Sequence, residues 1–204
     1  MEVMFFDIGN VILFFSFDKM YQQIADVCGI SKEEVYKELI ENGLGVRYEQ
    51  GDVSTEDVYQ HFVSLSKKTF TRDQFYQAVA DIFEPNVQIF PIIEDLVDAG
   101  IHLIAISNTC EIHYNYFRHH YSIFNYFDDF ILSYKIGIRK PARGFYEIAL
   151  NAANCLPNEC FYVDDIEEYI EAAQTLGIDA KLYVDVPTLR TEIEARGVIL
   201  SPRL

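Results

Sequence analysis

The chain has 204 residues, 50% hydrophobic and 24% charged, enough for one sizeable core with room for a smaller inserted unit. Asp and Glu total 32 against 16 Lys and Arg, a net charge of −16, and no basic stripe appears, which argues against a nucleic-acid partner. The same acidity means that a small anionic substrate would need a local lysine, backbone N–H groups or a cation. No apolar stretch approaches ~18 residues and no leader pattern is present, so neither a membrane span nor a signal peptide is expected. Cys28, Cys110, Cys155 and Cys160 show no metal-ligand pairing, and reduced thiols in a cytoplasmic protein fit best.

Val3-Met4-Phe5-Phe6 is an apolar run without a turn signal, the pattern of a strand buried on both faces. Asp7 ends it, Gly9 permits a tight backbone, and Asn10 can hydrogen-bond the local turn. From residue 14 to 83 the pattern is helical and strand-poor. Apolar positions Met20, Ile24 and Val27 mark a helix over residues 18–27, stopped by Gly29. Ser31-Lys32-Glu33-Glu34 is a capping box for a helix through about residue 41. Ser54 and Thr71 cap two more, with Val58, Phe62 and Leu65 on one face and Phe75, Val79 and Ile82 on the other. Between them Tyr48-Glu49-Gln50-Gly51-Asp52 reads as a turn.

Beyond Pro85 helices and strands alternate. Helices are expected over residues 89–99, 111–120, 142–153, 167–176 and 187–196, and strands over 101–106, 130–132, 160–163 and 180–184. Such alternation implies a parallel sheet with right-handed crossovers, an α/β doubly wound fold. The aromatic residues Tyr114, Tyr116, Phe117, Tyr121, Phe124, Tyr126 and Phe127 read as packing or a dimer surface.

Four strand ends carry polar chemistry. A carboxylate at the carboxyl end of a central strand, as at Asp7, lies where open α/β sheets bind ligands. Ile104-Ala105-Ile106-Ser107-Asn108-Thr109 offers a hydroxyl and helix-start N–H groups, an anion site. In Gly137-Ile138-Arg139-Lys140-Pro141 the proline is expected at or near the first position of a helix, holding Lys140 just before it. Phe161-Tyr162-Val163-Asp164-Asp165 ends in adjacent carboxylates that repel unless a cation or donors compensate, with Glu168 beyond.

Together these stretches resemble, in order and spacing, the four motifs of the haloacid dehalogenase superfamily, most of whose members are Mg²⁺-dependent phosphatases. The resemblance covers essentially the whole chain, and DIGNV with SNT and GIRKP is similar to the branch containing bacterial glucose-1-phosphatase-like enzymes. It implies a Rossmann-like core over residues 1–14 and 85–204 and a C1-type helical cap over residues 15–84. It assigns Asp7 as nucleophile, Ser107 and Lys140 as its catalytic companions, and Ser107, Asn108 and Lys140 as the phosphate cradle. Mg²⁺ would be held by Asp7, Asp164 and the Gly9 carbonyl, with Asp165 and Glu168 orienting metal waters or Lys140.

There are departures from the pattern. Gly9 stands where such phosphatases usually carry a second aspartate serving as general acid and base, as it also does in the glucose-1-phosphatase-like branch. Phe14-Phe15-Ser16 follows where some relatives carry acidic residues. Asp18, Glu49 and His113 are the candidates to supply the proton. The expected activity is hydrolysis of a small phosphorylated metabolite, sugar phosphates among the candidates. The alternatives are a metal-free haloacid dehalogenase and a catalytically silent fold used for partner binding. Monomer and homodimer are both open at this stage.

Overall fold

In this computed structural model, which describes residues 1–202, the opening apolar run forms β1 (Val3–Phe6), all four residues buried. β2 (Leu13–Phe15) follows the Asp7 turn and leads into α1 (Phe17–Cys28), capped by the Ser16 hydroxyl, which accepts from the Lys19 N–H. α2 (Lys32–Tyr36) opens with the Ser31–Glu34 capping box and runs on as a π-helical turn over Lys37–Glu41. α3 (Leu44–Glu49) replaces the first part of the expected turn; it has no side-chain cap and is too short to show a helical period. α4 (Thr55–Leu65) and α5 (Arg72–Ala80) both begin with capping boxes, at Ser54–Asp57 and Thr71–Gln74. β3 (Phe83–Pro85) then pairs antiparallel with β2 at the base of the helical insertion. Three-residue strands leave too little alternation to read, so this ribbon is missing from the sequence expectation. The expected boundaries at 14/15 and 84/85 fall inside it.

The rest of the chain follows the expected alternation: α6 (Phe90–Asp98), β4 (His102–Ser107), α7 (Glu111–His120), β5 (Asp129–Leu132), α8 (Ser133–Ile136), α9 (Arg143–Ala153), β6 (Cys160–Asp164), α10 (Glu167–Gln174), β7 (Asp179–Leu182) and α11 (Val186–Ala195). The five long-range strands form one parallel sheet in the order β5-β4-β1-β6-β7. β1 is its centre, with Val3 opposite His102 on one side and Cys160 on the other. The chain adds β4 and β5 to one side of β1 and β6 and β7 to the other, so the strand order reverses next to β1. A crevice opens at such a reversal, outside the carboxyl ends of the strands, and that is where Asp7, Ser107 and Asp164 stand.

Alternate residues of β1 serve two cores. Met4 and Phe6 join Leu103, Ala105, Phe161 and Val163 under α6 and α11. Val3 and Phe5 join Ile104, Ile106 and Tyr162 under α9 and α10. Burial on both faces explains why the central strands read as continuous apolar runs rather than alternating ones. A third core lies within the insertion, where Ile24, Val35, Phe62 and Phe75 pack together, and it reaches Cys110 and Ile112 at the start of α7. Most of the 114–127 aromatics are packing: Phe117 and Phe124 are fully buried and Phe117 meets Phe83 edge-on, while Tyr126 is exposed.

Two local expectations need correction. Pro141 does not sit at the helix start: α9 begins at Arg143 with Ala142 as its cap, and the Lys140–Pro141 peptide is cis. The cysteines are not all free thiols. Cys155 and Cys160 are paired across the loop before β6, with Cα atoms 7.1 Å apart, just beyond the usual disulfide span. Cys28 and Cys110 are free and buried.

Candidate active site

Lys140 is the pivot of the site. Its side chain is wholly buried, and its Nζ donates to Asp7 Oδ1 at 2.5 Å and to Asp164 Oδ2 at 2.6 Å. Ile106 O at 3.1 Å and the Tyr162 hydroxyl at 3.3 Å complete its surroundings. Burial alone would push the lysine towards its neutral form, but the carboxylates of Asp7 and Asp164 override it and raise its pKa, so it stays charged. A charge buried in this way is tolerable only because it is paired and fully hydrogen-bonded.

Asn108 holds the lysine in place. Its side-chain Oδ1 accepts from the Lys140 N–H at 2.8 Å and its Nδ2 donates to the Lys140 carbonyl at 2.9 Å and to the Tyr169 hydroxyl at 3.1 Å. The Asn108 side-chain amide is thus committed to positioning Lys140, which leaves its backbone N–H for the expected phosphate cradle. Ser107, at the end of β4, is buried and lines the cavity beside Asp7.

Three carboxylates converge. One oxygen each of Asp7, Asp164 and Asp165 lie within 4.8 Å of one another. Asp165 accepts from Asn10 Nδ2 at 2.9 Å, so Asn10 reaches across to β6 rather than serving only its own turn. Asp164 Oδ1 accepts from the Ile166 N–H at 2.9 Å, and its other oxygen accepts from the Tyr162 hydroxyl. Burial pushes the Asp7 carboxyl up to about 7; Lys140 opposes that rise and Asp164 adds to it. Burial raises Asp165 as well. A dense set of hard oxygen donors that resist ionisation side by side is the environment a divalent cation relieves, so these residues fit Mg²⁺. The hydrogen bonds that fold the Asp7 turn, Leu13 N–H to Ile8 O and Asn10 N–H to Leu13 O, do not use the Gly9 carbonyl.

Gly9 is not an open position. A Cβ there would lie 2.8 Å from the Phe15 ring, so the space beside the Asp7 turn is filled by an aromatic edge. Of the three candidates for the missing acid, Glu49 is the one whose carboxyl comes to the site, and it does so paired with an arginine of the site. It lines the cavity from the end of α3, burial raises its pKa, and Arg139 pairs with it at 2.8 Å. His113 lines the same cavity but is committed to the Val79 carbonyl at 3.1 Å, and burial lowers its pKa to about 4, leaving a neutral ring. Asp18 is exposed and pairs with Lys32, outside the cavity. Glu168 is likewise exposed on α10 and does not line it.

Arg139, Asn10, Tyr162 and Tyr169 are site residues that the sequence reading did not single out. Arg139 adjoins Lys140 and could have been picked out by that; its Nε is buried without a hydrogen-bond partner. The segment bearing Glu49 is fastened to the core. Ser133 Oγ donates to the Glu49 carbonyl at 2.5 Å, and Gly51, at φ +80°, lies against Tyr134, whose carbonyl oxygen would be 2.3 Å from a Cβ. The cavity so enclosed is about 190 Å³ and takes in Asp7, Ser107, Lys140, Asp165 and Glu49.

Carboxylates and a buried lysine meeting at the reversal of a parallel sheet, beneath a helical insertion, define a hydrolase fold of one class. The chain belongs to the haloacid dehalogenase-like hydrolase family, whose model matches residues 12–182. That stretch contains Ser107, Lys140 and Asp164; Asp7 precedes it. Among named proteins the chain is 23% identical over 183 residues to a D-ribitol-5-phosphate phosphatase of Bacteroides thetaiotaomicron, covering 85% of this chain and 87% of that one. It is 23% identical over 154 residues to a sesquiterpene phosphatase of Aspergillus oryzae, covering 75% and 78%. A family enzyme of Bacteroides thetaiotaomicron, crystallised with magnesium and inorganic phosphate, has the same fold, with a TM-score of 0.82 at 19% identity over 93% of this chain and 98% of that one.

Proposed function

We propose that this protein is a Mg²⁺-dependent phosphatase of small phosphomonoesters, working through an aspartyl-phosphate on Asp7. The observation that carries the reading is the cluster of Asp7, Asp164 and Asp165, three converging carboxylates of which Asp7 and Asp164 are ion-paired to the buried Lys140. Support comes from the two named relatives, both phosphatases, and from a family enzyme of the same fold that binds magnesium and phosphate. Asp7, Asp164 and Asp165 would hold the cation, with the Gly9 carbonyl beside them. When bound, it supplies the positive charge that lets a carboxylate approach a phosphate dianion.

The chain's own residues do the rest. Asp7 attacks phosphorus with the oxygen not held by Lys140, and the ester oxygen leaves with the bonding electron pair. Lys140, with the Ser107 hydroxyl and the Asn108 N–H, steadies the phosphoryl oxygens as charge shifts among them. Glu49, whose carboxyl burial pushes up against the opposing pull of Arg139, gives its proton to the leaving oxygen when it carries one and then draws a proton from the water that hydrolyses the aspartyl-phosphate. This splits one difficult displacement into two. A metal-free dehalogenase would have no use for three adjacent carboxylates. A cytoplasmic setting belongs to the proposal: it rests on the free thiols of Cys28 and Cys110, and the Cys155–Cys160 pair counts against it. Among the described residues no helix is long and apolar enough to cross a membrane.

Asp7→Asn is the test. The amide is nearly isosteric but cannot attack phosphorus, so turnover of p-nitrophenyl phosphate with Mg²⁺ is lost while far-UV circular dichroism is unchanged. Activity within tenfold of wild type on a folded sample removes Asp7 from the role of nucleophile.

A further inference from the structure

A second cavity, also about 190 Å³, lies inside the helical insertion. Ile24, Leu39, Val58, Phe62, Phe75 and Val79 line it, and all are buried members of the insertion's own core. It shares four lining residues with the active-site cavity: Phe17, Glu49, His113 and Arg139. The two chambers therefore share a wall, and the Glu49–Arg139 ion pair is part of it. At the outer end stand Ile40 and Val46, which are 47% and 44% exposed, an unusual cost for aliphatic side chains on a surface this acidic. The active-site side is also apolar where a leaving group would lie, with Phe15, Phe17, Ile82, Phe83 and Ile166 around Glu49 and Arg139.

From this we infer that the substrate is the phosphate monoester of an apolar alcohol, aliphatic or isoprenoid, whose carbon chain enters the cavity of the insertion. The inference rests on the phosphatase reading above and specifies its substrate class. The shared wall sets the geometry: Glu49 lines both chambers, so a leaving oxygen within its reach lies next to the second chamber, and displacement of the Glu49–Arg139 pair would admit its carbon substituent. Polyol recognition would demand several free hydrogen-bonding side chains there. The imidazole of His113 is committed to Val79 O, and the hydroxyl of Tyr48 to Thr55 Oγ1 and the Ile112 N–H. Arg139, Glu49 and the Tyr21 hydroxyl suffice for one or two polar atoms, the ester oxygen and a single hydroxyl near it, not for the row of hydroxyls on a polyol. An apolar cavity of about 150 Å³ stays dry and accepts benzene, so one of this size accommodates a chain of about six to ten carbons. The step balances as ordinary hydrolysis. The ester P–O bond breaks, Asp7 gains the phosphoryl group, the alkoxide takes the Glu49 proton, and water then returns Asp7 and releases phosphate.

The experiment compares kcat/KM, with saturating Mg²⁺, across n-alkyl phosphates from ethyl to decyl, geranyl phosphate, a pentitol 5-phosphate and acetyl phosphate. Each methylene that leaves water raises kcat/KM by about fourfold until the cavity is full, and octyl or geranyl phosphate exceeds the pentitol ester by at least tenfold. In Val79→Trp, which fills the cavity, the ratio of octyl to acetyl phosphate falls at least tenfold. The wild-type series stands without the variant should Val79→Trp not fold. A flat chain-length series, or preference for the pentitol ester, with acetyl phosphate still hydrolysed, overturns the apolar substrate and leaves the phosphatase reading intact. Failure to hydrolyse acetyl phosphate as well as every ester overturns both.

Discussion

Glu49 is the residue on which the site's unusual character turns. With Gly9 at the Asp7 turn and the Phe15 ring filling the space beside it, the proposed proton donor to the leaving group is Glu49 from the insertion. General acid assistance contributes ~10²–10⁴ in rate, most for poor leaving groups. Glu49→Gln should therefore lower turnover of alkyl phosphates by that factor and turnover of p-nitrophenyl phosphate far less, giving a steeper dependence on leaving-group acidity. A parallel loss on both substrates would assign Glu49 to structure through Arg139. Asp7 makes a second claim at this scale. Its carboxyl, raised to about 7 mainly by burial, must lose a proton before it can hold a cation. Below pH 7 the Mg²⁺ dissociation constant should rise by about tenfold per pH unit, and calorimetry in buffers of different ionisation heat should show about one proton released per ion at pH 6. The sign for folding is the reverse. Folded Asp7 binds its proton more tightly than unfolded Asp7, so its contribution to the metal-free chain is present below the unfolded value near 4 and lost as pH rises through 7. Asp7, Ser107 and Asp164 were legible in the sequence because each ends an apolar run, and Lys140 because it stands before Pro141 in the third of the four spaced motifs. Arg139 and Asn10 were not, since a loop arginine and a turn asparagine look the same with or without a distant partner.

At the level of elements, the contact between the end of α3 and the start of α8 sets the position of Glu49. Gly51 has both a left-handed backbone and a carbonyl at 2.3 Å from where a Cβ would be, so Gly51→Ala must part the two segments. Strain of this kind costs about 1–3 kcal/mol. Faster amide exchange in α3 and α8, with the rest of the sheet unchanged, is the expected signature, together with a loss of the Glu49-dependent rate. The longer helices were readable because their capping boxes lie in the sequence as short local patterns. α3, α8 and the β2–β3 ribbon were not, because elements of three to six residues take their stability from tertiary contacts that local pattern does not record.

For the whole molecule, net charge of −16 surrounds a site that must admit a dianion. The screening length shrinks from about 30 Å at 0.01 M salt to about 8 Å at 0.15 M, so added salt relieves the repulsion felt during approach. With Mg²⁺ saturating, kcat/KM should rise about two- to threefold over that range, the opposite of an enzyme that steers its substrate by attraction. A fall with salt would show that the local positive charge of Lys140, Arg139 and the cation governs capture. A parallel sheet was implied by the alternation of strands and helices, yet the meeting of its two halves at Lys140 was not, because that depends on strand order rather than on any one stretch.

The central place of β1 has a further consequence during synthesis of the chain. Met4 and Phe5 leave the ribosome about a hundred residues ahead of their partners Leu103 and Ile104, and further still ahead of Phe161 and Tyr162. Asp7 waits 133 residues for Lys140, and its fellow carboxylates come after that. At ~5–20 residues per second the interval is roughly 10–30 s. Throughout it the most apolar strand of the protein has neither neighbour, and the acid at its end has no counter-charge. The helical insertion, local in sequence and with its own core, can form meanwhile. The nascent chain thus carries a folded insertion beside an unpaired, sticky strand, the condition in which holding chaperones act.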